Sequence, residues 1–340
     1  MRVRTMRIVV AGIGAIGGPL AAHLAENGLD ITAVTKYPSL AKKIQNKGLK
    51  LEEEGESRLV KMKAVPLITD LEGTFDIVFF VMKAFDVVPT ARAILPHLKD
   101  DSVVVTLQNG IVEDEVAAIV GRNRVIGGIV FWASTMLDSG VIKRGSRGNF
   151  FVGLLDENGN QERLDEVATL LNYCSAVEVT ENIYDMLYSK LTYNAWTNGL
   201  QAICGLPYPD LFASRRTRLL AMRIGSEAAS VAERLGYNLV KLGAVDLPRL
   251  IFSDSAKLIE ENHEYIKSLG EYFGGFKSSS LQTLERGGKS ELEYFNGYIA
   301  LKGKKLEVPT PINTKIYEIA REIENGTREI SPENLLELPA

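Results

Sequence analysis

The sequence has few of the residues that build metal centres and catalytic triads. Its three histidines, His23, His97 and His263, are scattered, so a metal site or triad based on histidine is not expected. Its two cysteines, Cys174 and Cys204, have no metal-binding spacing and no paired pattern, which indicates a reducing compartment. The sequence therefore predicts a protein without a bound metal.

Long apolar runs and an excess of positive charge are also missing. No stretch reaches the ~18 uncharged apolar residues that a bilayer-spanning helix needs, and the N-terminal residues lack the apolar core of a signal peptide. The net charge of -4 and the pI near 5.7 leave no basic surface for nucleic acid or anionic lipid. A chain of 340 residues with 46% hydrophobic residues is long enough for two domains. We therefore expect a globular, cytoplasmic protein.

The chain begins with a pattern of strand, glycine-rich turn, helix and strand. Arg7–Ala11 is a short β-branched run typical of a buried parallel strand, and a second strand is predicted up to Thr35. The turn carries the Gly-x-Gly-x-x-Gly spacing of dinucleotide sites. Gly12 allows the tight turn, Gly14 lets a pyrophosphate approach the backbone, and Gly17 lets the helix pack against the strand. The alternative is a purely structural turn.

The end of the second strand favours NADP over NAD. NAD sites usually place an acidic residue there to bind the ribose 2′-hydroxyl. Here the strand ends in Thr35 and Lys36, and no acidic residue follows before Glu52. A cation and a hydroxyl suit a 2′-phosphate, whereas the alternative is a lysine that merely lies on the surface.

Polar residues follow two further strands. The apolar runs 76–82 and 102–107 are typical of fully buried strands, and Lys83 and Asn109 come just after them. Ligands of doubly wound sheets lie at the carboxyl ends of the strands, so both residues are expected to face the nicotinamide half of the cofactor. A loop residue or helix cap is the alternative for each.

The other elements predicted in this half are strands over 60–65 and 125–131, a helix over 86–98 interrupted by Pro89, a hairpin of 140–143 with 149–155 that continues the sheet in antiparallel sense, a helix over 162–173 and a strand over 176–180.

The strand pattern disappears after Thr180, where we place the domain boundary. The predicted fold is α/β, with a Rossmann-type doubly wound sheet over 1–180 and an all-helical domain over 181–330. The segment 331–340 is predicted to be a peripheral tail. Helices are predicted over 182–203, 215–235, 247–259, 280–285, 291–302 and 310–324, with a flexible polar loop over 270–280.

One predicted helix carries a polar stripe. Lys190, Asn194 and Asn198 recur every four residues, and at about 100° per residue they lie within an arc of ~80°. The other faces of this helix are filled by apolar and aromatic residues. The stripe can bind and protonate a small oxygen-rich molecule. The alternative is a solvated helix face, against which the two asparagines argue because asparagine is a poor helix former.

These motifs together resemble the ketopantoate reductase family over nearly the full chain. The resemblance implies NADPH-dependent reduction of 2-dehydropantoate (ketopantoate) to pantoate, in pantothenate and coenzyme A biosynthesis. It also implies a helical domain like the C-terminal domain of 6-phosphogluconate dehydrogenase, and it is compatible with a homodimer. The segments that carry it are Ala11-Gly-Ile-Gly-Ala-Ile-Gly17, Val81-Met-Lys83-Ala84, Leu107-Gln-Asn109-Gly110, the stripe over 190–198, and the pair Ser278-Ser-Ser-Leu-Gln282 and Ser290-Glu-Leu-Glu-Tyr-Phe-Asn-Gly297.

The same resemblance implies roles for individual residues. Lys190 would donate a proton to the substrate ketone, and Glu291 would orient the lysine or contact the nicotinamide ribose. Burial should lower the pKa of Lys190 and Glu291 should raise it, and the sequence leaves open which effect dominates. The substrate would be held by Asn194, Asn198 and Ser279. The cofactor would be lined by Gly12, Ile13, Gly14, Ala15, Ile16, Gly17, Lys36 in place of the family's arginine, Lys83, Asn109, Ala133 and Glu291.

The chain departs from the family pattern at several positions, which leaves the substrate open. They are Pro207-Tyr208-Pro209, Phe131 with Trp132, and Trp196 with Gly199. These changes are expected to affect the substrate pocket more than the chemistry. One alternative is a related reductase that acts on another 2-oxo acid or on an imine. A second is a non-catalytic regulator that binds NADP, against which the presence of both a proton donor and its carboxylate counts.

Overall fold

A computed structural model of the chain describes residues 6–145, 148–243 and 245–339. It divides into two compact units. The sheet unit comprises Met1–Gln108 and Val112–Ile183, and the helical unit comprises Asn109–Ile111 and Tyr184–Ala340. The predicted fold class is confirmed, because the first unit is built on a Rossmann-type sheet and the second is helical.

Two sheets form the first unit. An eight-stranded sheet has the order β12-β11-β8-β7-β6-β1-β2-β5, and its neighbouring strands are parallel except for the antiparallel pair β8–β11. A four-stranded sheet has the order β4-β3-β10-β9. The strands are β1 (Arg7–Ala11), β2 (Asp30–Val34), β3 (Leu49–Glu53), β4 (Glu56–Val60), β5 (Lys63–Val65), β6 (Phe75–Phe80), β7 (Leu98–Thr106), β8 (Val125–Phe131), β9 (Ser134–Asp138), β10 (Val141–Arg144), β11 (Asn149–Leu154) and β12 (Val177–Val179).

Helices cover the large sheet, and its central strand β6 is accordingly buried over its whole length. The helices of the sheet unit are α1 (Gly17–Glu26), α2 (Pro38–Lys47), α3 (Val87–Ile94), α4 (Glu113–Val120) and α5 (Gln161–Asn172). Of these, α2 and α4 were not predicted from the sequence. The predicted interruption at Pro89 is wrong, because Pro89 lies in the first turn of α3, where a helix does not need its N–H.

The small sheet corrects two predictions. The segment 60–65 is not one strand, since β4 ends at Val60 and β5 begins at Lys63 in the other sheet. β10 does not form a hairpin with β11, because it pairs with β3 and β9, while β11 pairs with β8. The sequence did contain a signal for the hairpin of β3 and β4. Their two-residue turn is Glu54-Gly55, and both residues have positive φ (55° and 85°), as a tight hairpin requires.

The second unit consists of helices α6 (Ile183–Cys204, beginning at the last residue of the sheet unit), α7 (Tyr208–Leu211), α8 (Arg215–Arg234), α9 (Ala256–Phe273), α10 (Ser279–Glu285), α11 (Asn296–Leu306) and α12 (Pro311–Glu324). Two boundaries differ from prediction. The helix expected over 247–259 begins only at Ala256 and continues to Phe273, into the first residues of the loop expected over 270–280. The helix expected from Glu291 begins at Asn296, after a short 3-10 turn over Leu292–Tyr294.

The C-terminal segment packs against the helical unit instead of lying at its periphery. Leu335 and Leu338 are buried. The Asn334 side-chain amide donates a hydrogen bond to the carbonyl of Ile203 at 2.8 Å. The Arg216 guanidinium donates to the carbonyl oxygen of Leu338 at 2.9 Å and to two more in the same segment. The predicted peripheral tail is therefore wrong.

Candidate active site

The three glycines of the turn after β1 differ in the space around them. Gly12 has a φ of 105°, and a Cβ there would lie 2.5 Å from the amide nitrogen of Met82. A Cβ on Gly17 would lie 2.1 Å from the carbonyl oxygen of Gly12. A Cβ on Gly14 would meet nothing within 4 Å. Gly12 and Gly17 are therefore required by packing, whereas Gly14 leaves open space beside the backbone.

This open space lies next to the start of a helix. α1 begins at Gly17, and its N-cap residue, Ile16, offers no side-chain hydrogen bond to the first turn. The N-terminus of a helix carries free N–H groups and a positive dipole end, which suit a phosphate. Ile13 is buried, while Ala15 and Ile16 are partly exposed. The local structure thus fits a dinucleotide pyrophosphate.

Lys36 comes just after β2 in a left-handed conformation, with a φ of 69°. Its ammonium donates to both carboxylate oxygens of Asp86, at 2.9 and 3.1 Å. This hydrogen bond is the main reason why the pKa of Lys36 lies above its ordinary value. Lys36 is therefore a fixed cation at the strand end that was predicted to read the cofactor's ribose.

The residues predicted at the other strand ends are placed as follows. Lys83 is exposed and precedes a 3-10 turn over Ala84–Asp86. The carbonyl of Ala133 accepts a hydrogen bond from the amide of Gly145 at 2.8 Å, between β8 and β9. Asn109 follows β7 but groups with the helical unit. The structure therefore brings Asn109 to the helix that carries the polar stripe.

The stripe lies on α6, and its asparagines are buried. The Asn194 amide donates to the side-chain oxygen of Asn109, and the Asn198 amide donates to that of Asn194, both at 3.4 Å. The side-chain oxygen of Asn198 also accepts from the Ser279 hydroxyl and the Ser280 amide, each at 3.4 Å. The alternative of a solvated face does not apply to these two asparagines. All of these contacts lie at the long end of hydrogen bonding, so the groups retain capacity for a ligand.

Lys190, at the start of the stripe, is partly buried, and its ammonium lies 4.8 Å from the centre of the Tyr193 ring. Burial lowers the pKa of Lys190 to about 8. Desolvation is thus the effect that dominates, which the sequence left open. Glu291 is buried in the same unit, immediately before the 3-10 turn over Leu292–Tyr294. The lysine can exchange a proton near neutral pH, as a general acid must.

Gln201 holds the segment that precedes Ser279, and it was missed from the sequence. Its side-chain oxygen accepts from the amide of Ser278 at 2.6 Å, and its amide donates to the carbonyl of Phe276 at 3.1 Å. The hydroxyl of Ser278 in turn caps α10 by accepting from the amide of Leu281. Gln201 lies one turn beyond Asn198, so the helical spacing was the available signal.

A buried polar network fixes α6 from its other side. The Asn296 amide donates to the carbonyl of Ala195 at 3.1 Å and to the side-chain oxygen of Asn313 at 2.8 Å. The Asn313 amide donates to the carboxylate of Glu227 at 2.7 Å, and burial raises the pKa of Glu227. A Cβ on Gly199 would lie 2.6 Å from the oxygen of Asn296, so this departure from the family pattern makes room for the network.

The aromatic departures lie in the cores. Trp132 is 8% exposed and packs against Phe150 and under the Arg144 guanidinium in the sheet unit. Trp196 and Tyr208 are 1% and 3% exposed. The expectation that these departures affect the substrate pocket stays a prediction.

Two other rings of the helical unit are partly exposed. Tyr193 and Phe273 form an edge contact with a centroid distance of 6.2 Å, and Phe273 packs on Trp196 and Tyr208. Because Tyr193 also lies under Lys190, this ring pair forms an apolar surface next to the stripe.

Comparisons with known proteins agree with this architecture. The family model described as ketopantoate reductase PanE/ApbA matches residues 8–157, and the model of its C-terminal part matches residues 182–324. The chain belongs to the ketopantoate reductase family. Members of this family are oxidoreductases that act on CH–OH groups with a nicotinamide cofactor, and the chain is an oxidoreductase of this kind.

Relatives and solved structures extend over nearly the whole chain. A 2-dehydropantoate 2-reductase of Archaeoglobus fulgidus is 27% identical over 95% of this chain and 100% of the relative. One of Mesorhizobium japonicum is 28% identical over 94% and 98%. The structure of a PanE/ApbA family ketopantoate reductase from Ralstonia eutropha has a TM-score of 0.79 at 25% identity, covering 95% and 100%. A D-mandelate dehydrogenase with NADH and anilino(oxo)acetate has a TM-score of 0.82 at 23% identity, covering 95% and 99%, and shows the fold alone.

Among the residues that the structure describes, no group of three His, Cys, Asp or Glu side chains is arranged to hold a metal ion. Within the same residues, no helix has the length and apolar character needed to cross a membrane.

Proposed function

We propose that this reductase converts 2-dehydropantoate to pantoate with NADPH, in pantothenate and coenzyme A biosynthesis. The observation that carries the proposal is the stripe of α6. Its lysine has a pKa of about 8, and its two asparagines are buried and in contact with further polar groups. A 2-oxo acid needs such a set, with a proton donor for the ketone and neutral donors for the carboxylate.

The turn over Gly12–Gly17 suits the cofactor. Gly14 leaves space for the pyrophosphate, and α1 offers its N-terminus. Lys36 would contact the 2′-phosphate, and Lys83, Asn109 and Ala133 would line the rest of the dinucleotide. When bound, the reduced nicotinamide supplies a hydride to the carbonyl carbon of the substrate.

Lys190 completes the reduction. As the carbonyl carbon gains hydrogen, the electron pair of the C=O double bond moves to oxygen, and this oxygen takes a proton from the Lys190 ammonium. The neutral amine then recovers a proton from water. A pKa of about 8 keeps the lysine mostly protonated at neutral pH while easing the transfer.

The asparagines and Ser279 would hold the substrate. Asn194, Asn198 and Ser279 would donate hydrogen bonds to the carboxylate and hydroxyl groups, each contributing roughly 1–3 kcal/mol if otherwise unsatisfied. Glu291 would orient Lys190 or contact the nicotinamide ribose. A homodimer and a cytoplasmic location belong to the same proposal and rest on the resemblance to the family.

A second candidate is reduction of another 2-oxo acid, or of an imine. The specific observation in its favour is the partly exposed pair of Tyr193 and Phe273 beside the stripe. Aromatic faces suit a large apolar substituent better than the hydroxyl-bearing side chain of ketopantoate.

The rate of NADPH oxidation by the purified protein tests the proposal. Ketopantoate is compared with branched and aromatic 2-oxo acids at fixed enzyme concentration. A kcat/KM of at least ~10⁴ M⁻¹s⁻¹ for ketopantoate, clearly above the others, supports pantoate formation. A higher value for an aromatic 2-oxo acid, reduced by Phe273→Ala, would instead favour the second candidate. Tight NADPH binding without turnover of any acid would contradict both.

A further inference from the structure

The cation expected to read the cofactor's 2′-phosphate already has a carboxylate partner. Lys36 follows β2, and Asp86 lies between β6 and α3 in the same unit. The ammonium bonds to both oxygens of Asp86, at 2.9 and 3.1 Å. The side chains are 59% and 31% exposed, so both are accessible to a ligand.

Asp86 is not used to stabilise its own helix. It is the N-cap residue of α3, a position where aspartate usually accepts a hydrogen bond from the first turn. Its side chain makes no such bond. Its local hydrogen bonds are made by its backbone: the carbonyl accepts from the hydroxyl of Thr90 at 2.7 Å, and the amide donates to the carbonyl of Lys83 at 3.0 Å. The carboxylate is thus committed to Lys36, and a neutral residue there should leave α3 intact.

The pair changes what this strand end can recognise. A 2′-phosphate carries about two negative charges and is repelled by a nearby carboxylate. A ribose 2′-hydroxyl is recognised in NAD sites by an acidic side chain. The carboxyl end of β2 has no such acid, but Asp86 supplies one from the connection between β6 and α3. Asp86 therefore weakens the binding of NADPH and strengthens that of NADH, whereas Lys36 has the opposite effect on each.

We infer that Asp86 is a specificity-determining residue that lowers the preference for NADPH over NADH. The inference rests on the proposed dinucleotide site. Removing the carboxylate frees Lys36 for the 2′-phosphate and removes the acceptor for the 2′-hydroxyl. The ratio of Kd for NADH to Kd for NADPH should therefore rise in Asp86→Asn.

Equilibrium binding of both dinucleotides, followed by the fluorescence of the reduced nicotinamide, tests this. In Asp86→Asn we expect the Kd ratio to rise at least about 10-fold, chiefly through tighter NADPH binding. The matched control is Asp30→Asn, which removes the same charge at the opposite end of β2, where Asp30 pairs with Lys63 at 2.8 Å. In this control the ratio should stay within about 2-fold of wild type.

A second comparison separates the ion pair from a general effect of charge. In Lys36→Gln, adding Asp86→Asn should change the ratio much less than it does in the wild type, because the pair is already broken. If both dinucleotides bind and Asp86→Asn leaves the ratio unchanged, the inference is wrong while the dinucleotide site stands. If the wild type binds neither dinucleotide, the proposed function itself fails, and the inference fails with it.

Discussion

Replacing Lys190 with alanine tests the chemistry most directly. Alanine has the highest helix propensity, so α6 should remain formed. The variant loses its proton donor, and general acids typically contribute 10²- to 10⁴-fold to a rate. We expect kcat for the reduction to fall at least ~100-fold, equivalent to about 2.7 kcal/mol of transition-state stabilisation. Dinucleotide affinity should change little, because Lys190 is assigned to the substrate.

The pH dependence gives the same prediction an independent readout. Only the protonated lysine can donate, so kcat/KM for reduction by the wild type should be constant at low pH and fall as pH rises through about 8. The alanine variant should lack this break.

The stability of the protein should depend on pH for the same reason. Burial lowers the pKa of Lys190 in the folded state, so below pH 8 the folded protein bears the full free-energy cost of burying a charged lysine. The free energy of unfolding of the wild type should therefore rise with pH between about 8 and 10.5, and this slope should be smaller in the variant.

Steady-state kinetics with the preferred 2-oxo acid, combined with fluorescence titration of the cofactor, supplies these values. Lys302→Ala is the matched control, because Lys302 also lies over a tyrosine ring of the helical unit, 5.2 Å from Tyr298, and is outside the stripe. The control should keep wild-type turnover. Near-normal kcat in Lys190→Ala, or an unchanged break near pH 8, would refute the role of Lys190 as proton donor.

Two further predictions concern the cofactor turn and the substrate contacts. In Gly14→Val the free energy of unfolding should stay within about 0.5 kcal/mol of the wild-type value, because the new side chain enters open space. The same side chain fills the space proposed for the pyrophosphate, so the variant should bind the dinucleotide at least about 10-fold more weakly. Gly17→Ala should instead be destabilised by about 1–3 kcal/mol in denaturant unfolding, since its Cβ would clash with the backbone. The reverse order of effects would contradict the assigned roles. Asn198→Ala should lower kcat/KM for the 2-oxo acid about 10- to 100-fold, whereas the exposed Asn325→Ala should not. Equal kinetics in both variants would count against Asn198 as a substrate ligand.

Local patterns in the sequence predicted the parts of the molecule that depend on local geometry. The glycine spacing after β1 specified a turn whose three positions have the expected space around them. The four-residue spacing of Lys190, Asn194 and Asn198 specified one face of a helix, and the structure places them on α6. In both cases a single element carries all the residues, so periodicity is sufficient.

Contacts between distant segments were not predictable in this way. Asn296, Asn313 and Glu227 form their network across three helices, and nothing in the spacing of one helix indicates the others. The small sheet was missed for a related reason. β10 pairs with β3, about ninety residues earlier, so its partner could not be inferred from neighbouring strands. Burial of Trp132 and Trp196 depends equally on such distant packing.

Lys36 and Lys190 show why residue type alone does not determine function. Lys36 is exposed and bonded to a carboxylate, and its pKa is raised. Lys190 is desolvated, and its pKa falls to about 8. The first lysine therefore stays charged throughout the physiological range, as a group that balances phosphate charge must. The second exchanges its proton within that range, as an acid in catalysis must. The same side chain is suited to two tasks because one position supplies a counter-charge and the other removes water.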